Sequence, residues 1–143
     1  MAYSELELLA RLIQCEAGGE GEAGMRAVAS VVMNRVQATL GEYARVSDGG
    51  SIYNIVFQPL QFECALEDNR GQNIYNMRPT ALEYAIAEWA LSGGRLDGIG
   101  EALWFFNPYS DVCPENFPSE VGTYARRIGN HCFYTPTAAY YET

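Results

Sequence analysis

The sequence contains no lysine, and all nine of its basic residues are arginines. That excludes a lysine Schiff base, a P-loop lysine and any side-chain amine nucleophile. Histidine is nearly as scarce: His131 stands alone. A zinc peptidase or zinc amidase site, which typically draws at least two histidines, cannot be supplied, and no metal or cofactor is expected. Basic charge is outnumbered by eighteen acids, for a net charge of −9. This argues against nucleic acid as a partner, since phosphate binding needs a concentrated positive surface. No stretch reaches the ~18 uninterrupted apolar residues of a membrane span. The opening Met1-Ala2-Tyr3-Ser4-Glu5-Leu6-Glu7 has neither the basic start nor the apolar core of a signal peptide, so synthesis in the cytoplasm is the expectation.

What is present is core material. The chain is 48% hydrophobic and only 19% charged, which is incompatible with a disordered chain. At roughly 100–200 residues per domain, its 143 residues are read as one domain spanning 1–143. The four cysteines, Cys15, Cys64, Cys113 and Cys132, contain no Cys-x-x-Cys pair. Their expected role is that of small buried hydrophobes, with a disulfide as the alternative, most naturally Cys113 with Cys132. A cysteine peptidase would have to pair one of them with His131, and none sits in a recognisable nucleophile motif.

Helix signals dominate the first two thirds. Ser4-Glu5-Leu6-Glu7 has the form of a capping box, followed by Leu6, Leu9, Ala10 and Ile13 at helical spacing. Gly18 and Gly19 are expected to end this helix through a left-handed turn. A second helix is predicted over 22–38, with Met25, Val28, Ala29, Val32 and Val36 as its stripe. Residues 41–51 have loop composition, residues 52–57 are ambiguous between strand and helix, and residues 67–77 suggest an exposed excursion. Thr80-Ala81-Leu82-Glu83 is a second capping box that opens a helix closed by Gly93-Gly94. A short apolar run at 102–106 leads into proline-punctuated loop. A last helix is expected over 121–128 and extended chain over 131–134.

Glu16 falls three, four and seven residues after Ile13, Leu12 and Leu9, so its carboxyl projects from the apolar face of the first helix. Desolvation favours the neutral carboxyl and makes it a usable general acid, the group that glycosidic cleavage needs on its leaving oxygen. Glu20 and Glu22 follow on a glycine-rich turn, either as a second carboxylate or, in the plainer reading, as caps of the next helix. Arg35, at the end of the second helix, is left between an exposed charge and a tie to a loop acid. Sixteen Tyr and Phe side chains and two tryptophans are present. Those of Trp104-Phe105-Phe106 and Phe133-Tyr134 cannot all face inward if both runs are extended. Aromatic faces beside Asn and Gln suit a sugar groove.

Residues 9–20 (Leu-Ala-Arg-Leu-Ile-Gln-Cys-Glu-Ala-Gly-Gly-Glu), followed by Gly24 and Ala27 to Arg35, resemble the start of the SleB/CwlJ cell-wall hydrolases, the germination-specific spore cortex-lytic enzymes. Ile55 to Cys64, Ala90 to Gly93, Ala102 to Pro108 and Ile128 to Tyr134 match further family blocks in order, so the resemblance covers nearly the whole chain. It implies an α+β, predominantly α, lysozyme-like or lytic-transglycosylase-like domain with a few short strands, nearest to the short CwlJ-like branch. It also implies a single essential glutamate, which by position is Glu16. Cys15 and Glu63 depart from the residues expected at their places, and Glu63 joins Glu20 as a candidate second acid. Gln58, Gln61, Phe105, Asn107 and His131 are the candidate substrate contacts.

The implied activity is cleavage between N-acetylmuramic acid and N-acetylglucosamine by a lytic transglycosylase. Hydrolysis with a second carboxylate and a non-catalytic peptidoglycan-binding module are the alternatives. The implied partners are peptidoglycan strands and a spore-surface anchoring protein, with the chain associated with the spore coat or cortex on the mother-cell side if the host sporulates.

Overall fold

The computed structural model describes residues 3–66 and 71–143. Helix α1, Glu5–Ala17, starts where the Ser4 hydroxyl accepts the Glu7 amide at 3.1 Å. Only that half of the expected box forms, because the Glu7 carboxylate turns along the helix to Arg11 at 2.8 Å. Leu8, Leu9, Leu12 and Ile13 are fully buried. Gly18 keeps a right-handed conformation (φ −58°) and donates its amide to the Gln14 carbonyl, so the expected left-handed stop does not occur there. Glycine is required at this position because a Cβ would lie 2.5 Å from the Gln14 oxygen. The left-handed residue comes later, at Gly21 (φ 78°).

Helix α2, Gly21–Val36, is buried almost all round from Gly24 onward, as befits a central helix. Around it pack α1, α3 (Gly41–Ser47), α4 (Ile52–Val56), α5 (Ala81–Leu91) and the sheet. The α3 helix corrects the loop expected over 41–51. Tyr43 is buried against Trp104 and Tyr140, and this tertiary contact overrides the local glycine and serine composition. The ambiguous segment at 52–57 is helix α4, capped by the Ser51 hydroxyl. Of the excursion expected at 67–77, residues 67–70 lie outside the described residues. The remainder is mostly exposed, as expected, but Ile74 and Met77 are buried, and their carbonyls accept the Arg11 guanidinium at 2.8 and 2.9 Å. The Thr80–Glu83 box of α5 forms in full.

Three antiparallel strands, β1 (Trp104–Phe106), β2 (Gly122–Ile128) and β3 (His131–Pro136), make a sheet of order β1-β3-β2. Strand β2 corrects the helix expected over 121–128. Its burial alternates with the period of two that marks a strand, and the two-residue turn Gly129-Asn130 pairs Ile128 with His131. The result is the expected α+β, mostly helical architecture. Among the described residues no helix is long and apolar enough to cross a membrane. Cys113 is disulfide-bonded to Cys132, which ties the proline-rich loop to β3.

Candidate active site

Glu16 occupies the last turn of α1, half-buried. Its carboxyl pKa is pushed up from 4.5 to about 7, first by burial. A hydrogen bond with the Cys64 backbone opposes the rise, the Glu63 charge adds to it and Arg35 opposes it. The group is therefore close to half protonated at pH 7.

Two of these four influences arrive through a covalent link. Cys15, the residue before Glu16, is disulfide-bonded to Cys64, the residue after Glu63, across 49 positions of sequence. All four cysteines are bridged, which corrects their expected role as small hydrophobes. The bridge fastens the short 3-10 turn Glu63–Ala65 to the end of α1 and so brings Glu63 within electrostatic reach of Glu16.

Glu16 opens onto a cleft of about 490 Å³ whose other lining includes Gln14, Glu20, Gln72, Arg78 and His131. Gln14 donates its amide to the Arg78 carbonyl at 3.0 Å. His131 Nδ1 and Gln14 Oε1 are buried with no hydrogen-bond partner among the described residues. Burial lowers the His131 pKa, against the pull of Glu20, so the ring is neutral at pH 7. That ring stands edge-on to Phe105, 5.1 Å between centroids. Glu20 lines the same cleft but caps the β2–β3 hairpin, accepting the Asn130 amide at 2.6 Å and its side-chain Nδ2 at 3.2 Å. It makes no side-chain cap on α2, and Glu22 pairs with Arg26 instead, so the capping role expected of both acids is corrected.

Phe105 also lines an aromatic pocket of about 260 Å³, walled by Tyr43, Trp104 and Phe117 as well, with Arg35 and Gln61 among its lining. Arg35 is buried, not the exposed charge, and among the described residues it forms no ion pair with a loop acid. Its Nε donates to the Leu103 carbonyl at 2.7 Å and its Nη1 to Gln61 Oε1 at 3.2 Å, while its guanidinium lies over Tyr43 and Phe62. Gln61 Oε1 also accepts the Tyr43 hydroxyl.

Of the residues expected to contact substrate, His131 lines the Glu16 cleft, Phe105 abuts it, and Gln61 sits in the aromatic pocket beside it. Gln58 does not join them: it donates to Glu42 and lines a groove with Tyr53 and Phe57. Asn107 does not either, for its Oδ1 accepts the Tyr109 amide in a local turn. Sequence reasoning passed over Gln14 and Arg78. The signal for Gln14 was available, because it lies four residues before Gly18 on the same helix as Glu16.

A family model described as cell wall hydrolase matches residues 19–134. The chain is 31% identical to the cell wall hydrolase CwlJ of Bacillus subtilis, covering 94% of this chain and 87% of that one. It is 35% identical to the CwlJ of Oceanobacillus iheyensis, over 95% and 89%. Among solved structures it resembles the catalytic domain of the germination-specific lytic transglycosylase SleB from Bacillus anthracis, with a TM-score of 0.66, 26% identity and 94% and 98% coverage. The Bacillus cereus SleB catalytic domain is similar at a TM-score of 0.65 and 28% identity, covering 94% and 93%. The likeness to SleB catalytic domains bears out the lysozyme-like fold, and the chain belongs to the SleB/CwlJ cell wall hydrolase family.

Proposed function

We propose that this enzyme cleaves the glycan strands of spore cortex peptidoglycan at the β-1,4 bond between N-acetylmuramic acid and N-acetylglucosamine, as a lytic transglycosylase with Glu16 as its catalytic carboxyl. The observation that carries this reading is a carboxyl held near pKa 7 by burial at the edge of an open cleft. Neutral Glu16 gives its proton to the glycosidic oxygen as the bond from that oxygen to C1 of the muramic residue breaks and an oxocarbenium-like centre forms. The Glu16 carboxylate then takes the proton of the muramic 6-hydroxyl while that oxygen attacks C1. The products are a 1,6-anhydro ring and a regenerated acid. Each proton in this sequence passes through Glu16, so the scheme invokes no cofactor. Phe105 and the aromatic pocket offer flat faces for a pyranose, and His131, Gln61 and Gln14 offer polar atoms for its hydroxyl and acetamido groups.

A second reading, hydrolysis, is favoured by one observation: Glu63 lies close enough to Glu16 to raise its pKa, and so provides a second carboxyl that could activate water. Digestion of purified cortex and of vegetative wall, with analysis of the released muropeptides, tests both. The transglycosylase reading expects 1,6-anhydromuramic ends. Reducing muramic ends alone would transfer the reaction to hydrolysis, and no release from either wall would leave a binding module.

A further inference from the structure

Three features stand outside the scheme above: the exposed groove around Tyr53 and Phe57, the buried Arg35 and the Cys15–Cys64 bridge. The bridge carries an inference furthest, because both of its ends are chain neighbours of groups that act on the acid.

We propose that Cys15–Cys64 is a positioning crosslink for Glu16 and a redox gate on cleavage: closed, it holds the wall that faces the acid, and opened, it lets that wall go. The inference rests on Glu16 being the catalytic acid. The wall is the short turn Glu63–Ala65, which has only three residues and is joined to α1 by this bond. Its Cys64 backbone and Glu63 carboxylate are two of the three groups that, with burial, set the protonation of Glu16. The same turn packs on α1 at the end that carries Glu16. A turn this short has little local stability of its own.

The bridge can also be reached. Cys15 is half-buried and lines the cleft that Glu16 opens onto, while its partner Cys64 is buried behind it. A small dithiol entering the cleft attacks the Cys15 sulfur. The S–S bond breaks, the two cysteine sulfurs gain two electrons and two protons, and the dithiol closes to its own disulfide. In a reducing compartment the pair remains as thiols, and cleavage waits for oxidising surroundings.

Among the described residues, the charged and titratable groups facing Glu16 are Glu63 from the turn, Arg35 from α2, Glu20 from the α1–α2 connection, Arg78 from the segment before α5 and His131 from β3. Only Glu63 is carried by the bridged turn. Opening the bridge admits water and removes the Glu63 charge, both of which favour the ionised acid. It also removes the Cys64 hydrogen bond, which acts the other way but less than burial does. The net expectation is a Glu16 pKa that falls toward the ordinary carboxyl range.

The test uses the Cys113→Ala/Cys132→Ala variant, in which Cys15–Cys64 is the only bridge, digesting cortex across pH 5–9 before and after dithiothreitol and again after reoxidation. The expected result is at least a tenfold loss of rate at pH 7 on reduction, an alkaline limb displaced toward lower pH, and recovery of both on reoxidation. Circular dichroism at the assay temperature confirms that the reduced protein is folded. If that variant does not fold, the comparison is made between Cys15→Ala/Cys64→Ala and the unmodified protein. A folded, reduced enzyme with the same rate and the same limb overturns the inference. Glu16→Gln run alongside separates the two claims: a dead Glu16→Gln with an indifferent bridge sinks only the gate, whereas an active Glu16→Gln sinks the assignment of the acid itself.

Discussion

Glu16 and Glu20 are four residues apart, line the same cleft and are chemically identical, yet the fold uses them in opposite ways. Glu16 projects from the apolar face of α1, loses water and holds its proton up to about pH 7. Glu20 lies beyond the end of that helix and receives two donors from Asn130, which fix it as a cap on the β2–β3 turn. A Cβ at Gly129 would sit 2.5 Å from the Glu20 oxygen, so the hairpin is shaped to meet it. The difference teaches that the chemistry of a carboxyl here is decided by what surrounds it. Apolar neighbours favour a proton donor, and N–H donors favour an anion.

Removing the Glu16 carboxyl breaks that comparison most severely. Glu16→Gln cannot deliver a proton, and cortex digestion is expected to fall on the order of 10³-fold. The same substitution should stabilise the fold at alkaline pH. Unfolded Glu16 ionises near 4.5 and folded Glu16 near 7, so between those values the folded state holds the extra proton and stability declines as pH rises. The full penalty, about 3 kcal/mol, applies above pH 7. Thermal unfolding of the Gln variant should therefore match the parent near pH 4 and exceed it at pH 8. An unchanged cleavage rate, or equal stability at both pH values, would remove Glu16 from its role.

The intact enzyme should show the same group in its kinetics. Because the acid must be protonated, kcat/KM is expected to be level below pH 6 with respect to this group and to fall about tenfold per pH unit above pH 7. A profile that rises through pH 8 contradicts a proton donor with this pKa. The two charges that act on Glu16 from opposite sides then sharpen the picture. Arg35 favours the ionised form, so Arg35→Met should move the alkaline limb up. It should also cost about 1–3 kcal/mol of stability, because the Leu103 carbonyl loses its buried donor. Glu63 disfavours the ionised form and acts on Glu16 more strongly than Arg35 does, so Glu63→Gln should move the limb down, and by the larger amount. Two shifts of the same sign would mean that the substitutions act by loosening the site and not by charge.

How far the sequence foretold this follows from which residues act locally. The phase of Glu16 on α1 was legible because an amphipathic helix reports its buried face through spacing alone, and the Thr80–Glu83 box was legible because its bonds lie within four residues. Strand β2 was not, since Thr123, Tyr124 and Ala125 fit a short helix or a strand equally well. Only pairing with β3, and a bulge at Ala125, decides between them. Arg35 carried a weak signal: it stands three and seven residues after Val32 and Val28 on the buried stripe, but its partners Gln61 and Leu103 are far along the chain. The Cys15–Cys64 bridge had no local signal at all, because 49 residues of loop closure separate two cysteines that flank no common motif.

The smallest expected effect is also the cleanest check on the two glutamates. Glu20→Gln keeps the size of the side chain and an oxygen to accept the Asn130 amide, but gives up the charge that strengthens both bonds. The hairpin should lose about 1 kcal/mol, visible as a small drop in unfolding temperature. Glu20 is absent from the influences on Glu16 but does act on His131, whose proton affinity it raises. The alkaline limb set by Glu16 should therefore stay in place, while an imidazole titration followed by NMR shifts to lower pH. If the limb itself moved with Glu20, the two acids would be one coupled pair sharing a proton, and the division of labour between a dry turn and a wet one would have to be abandoned.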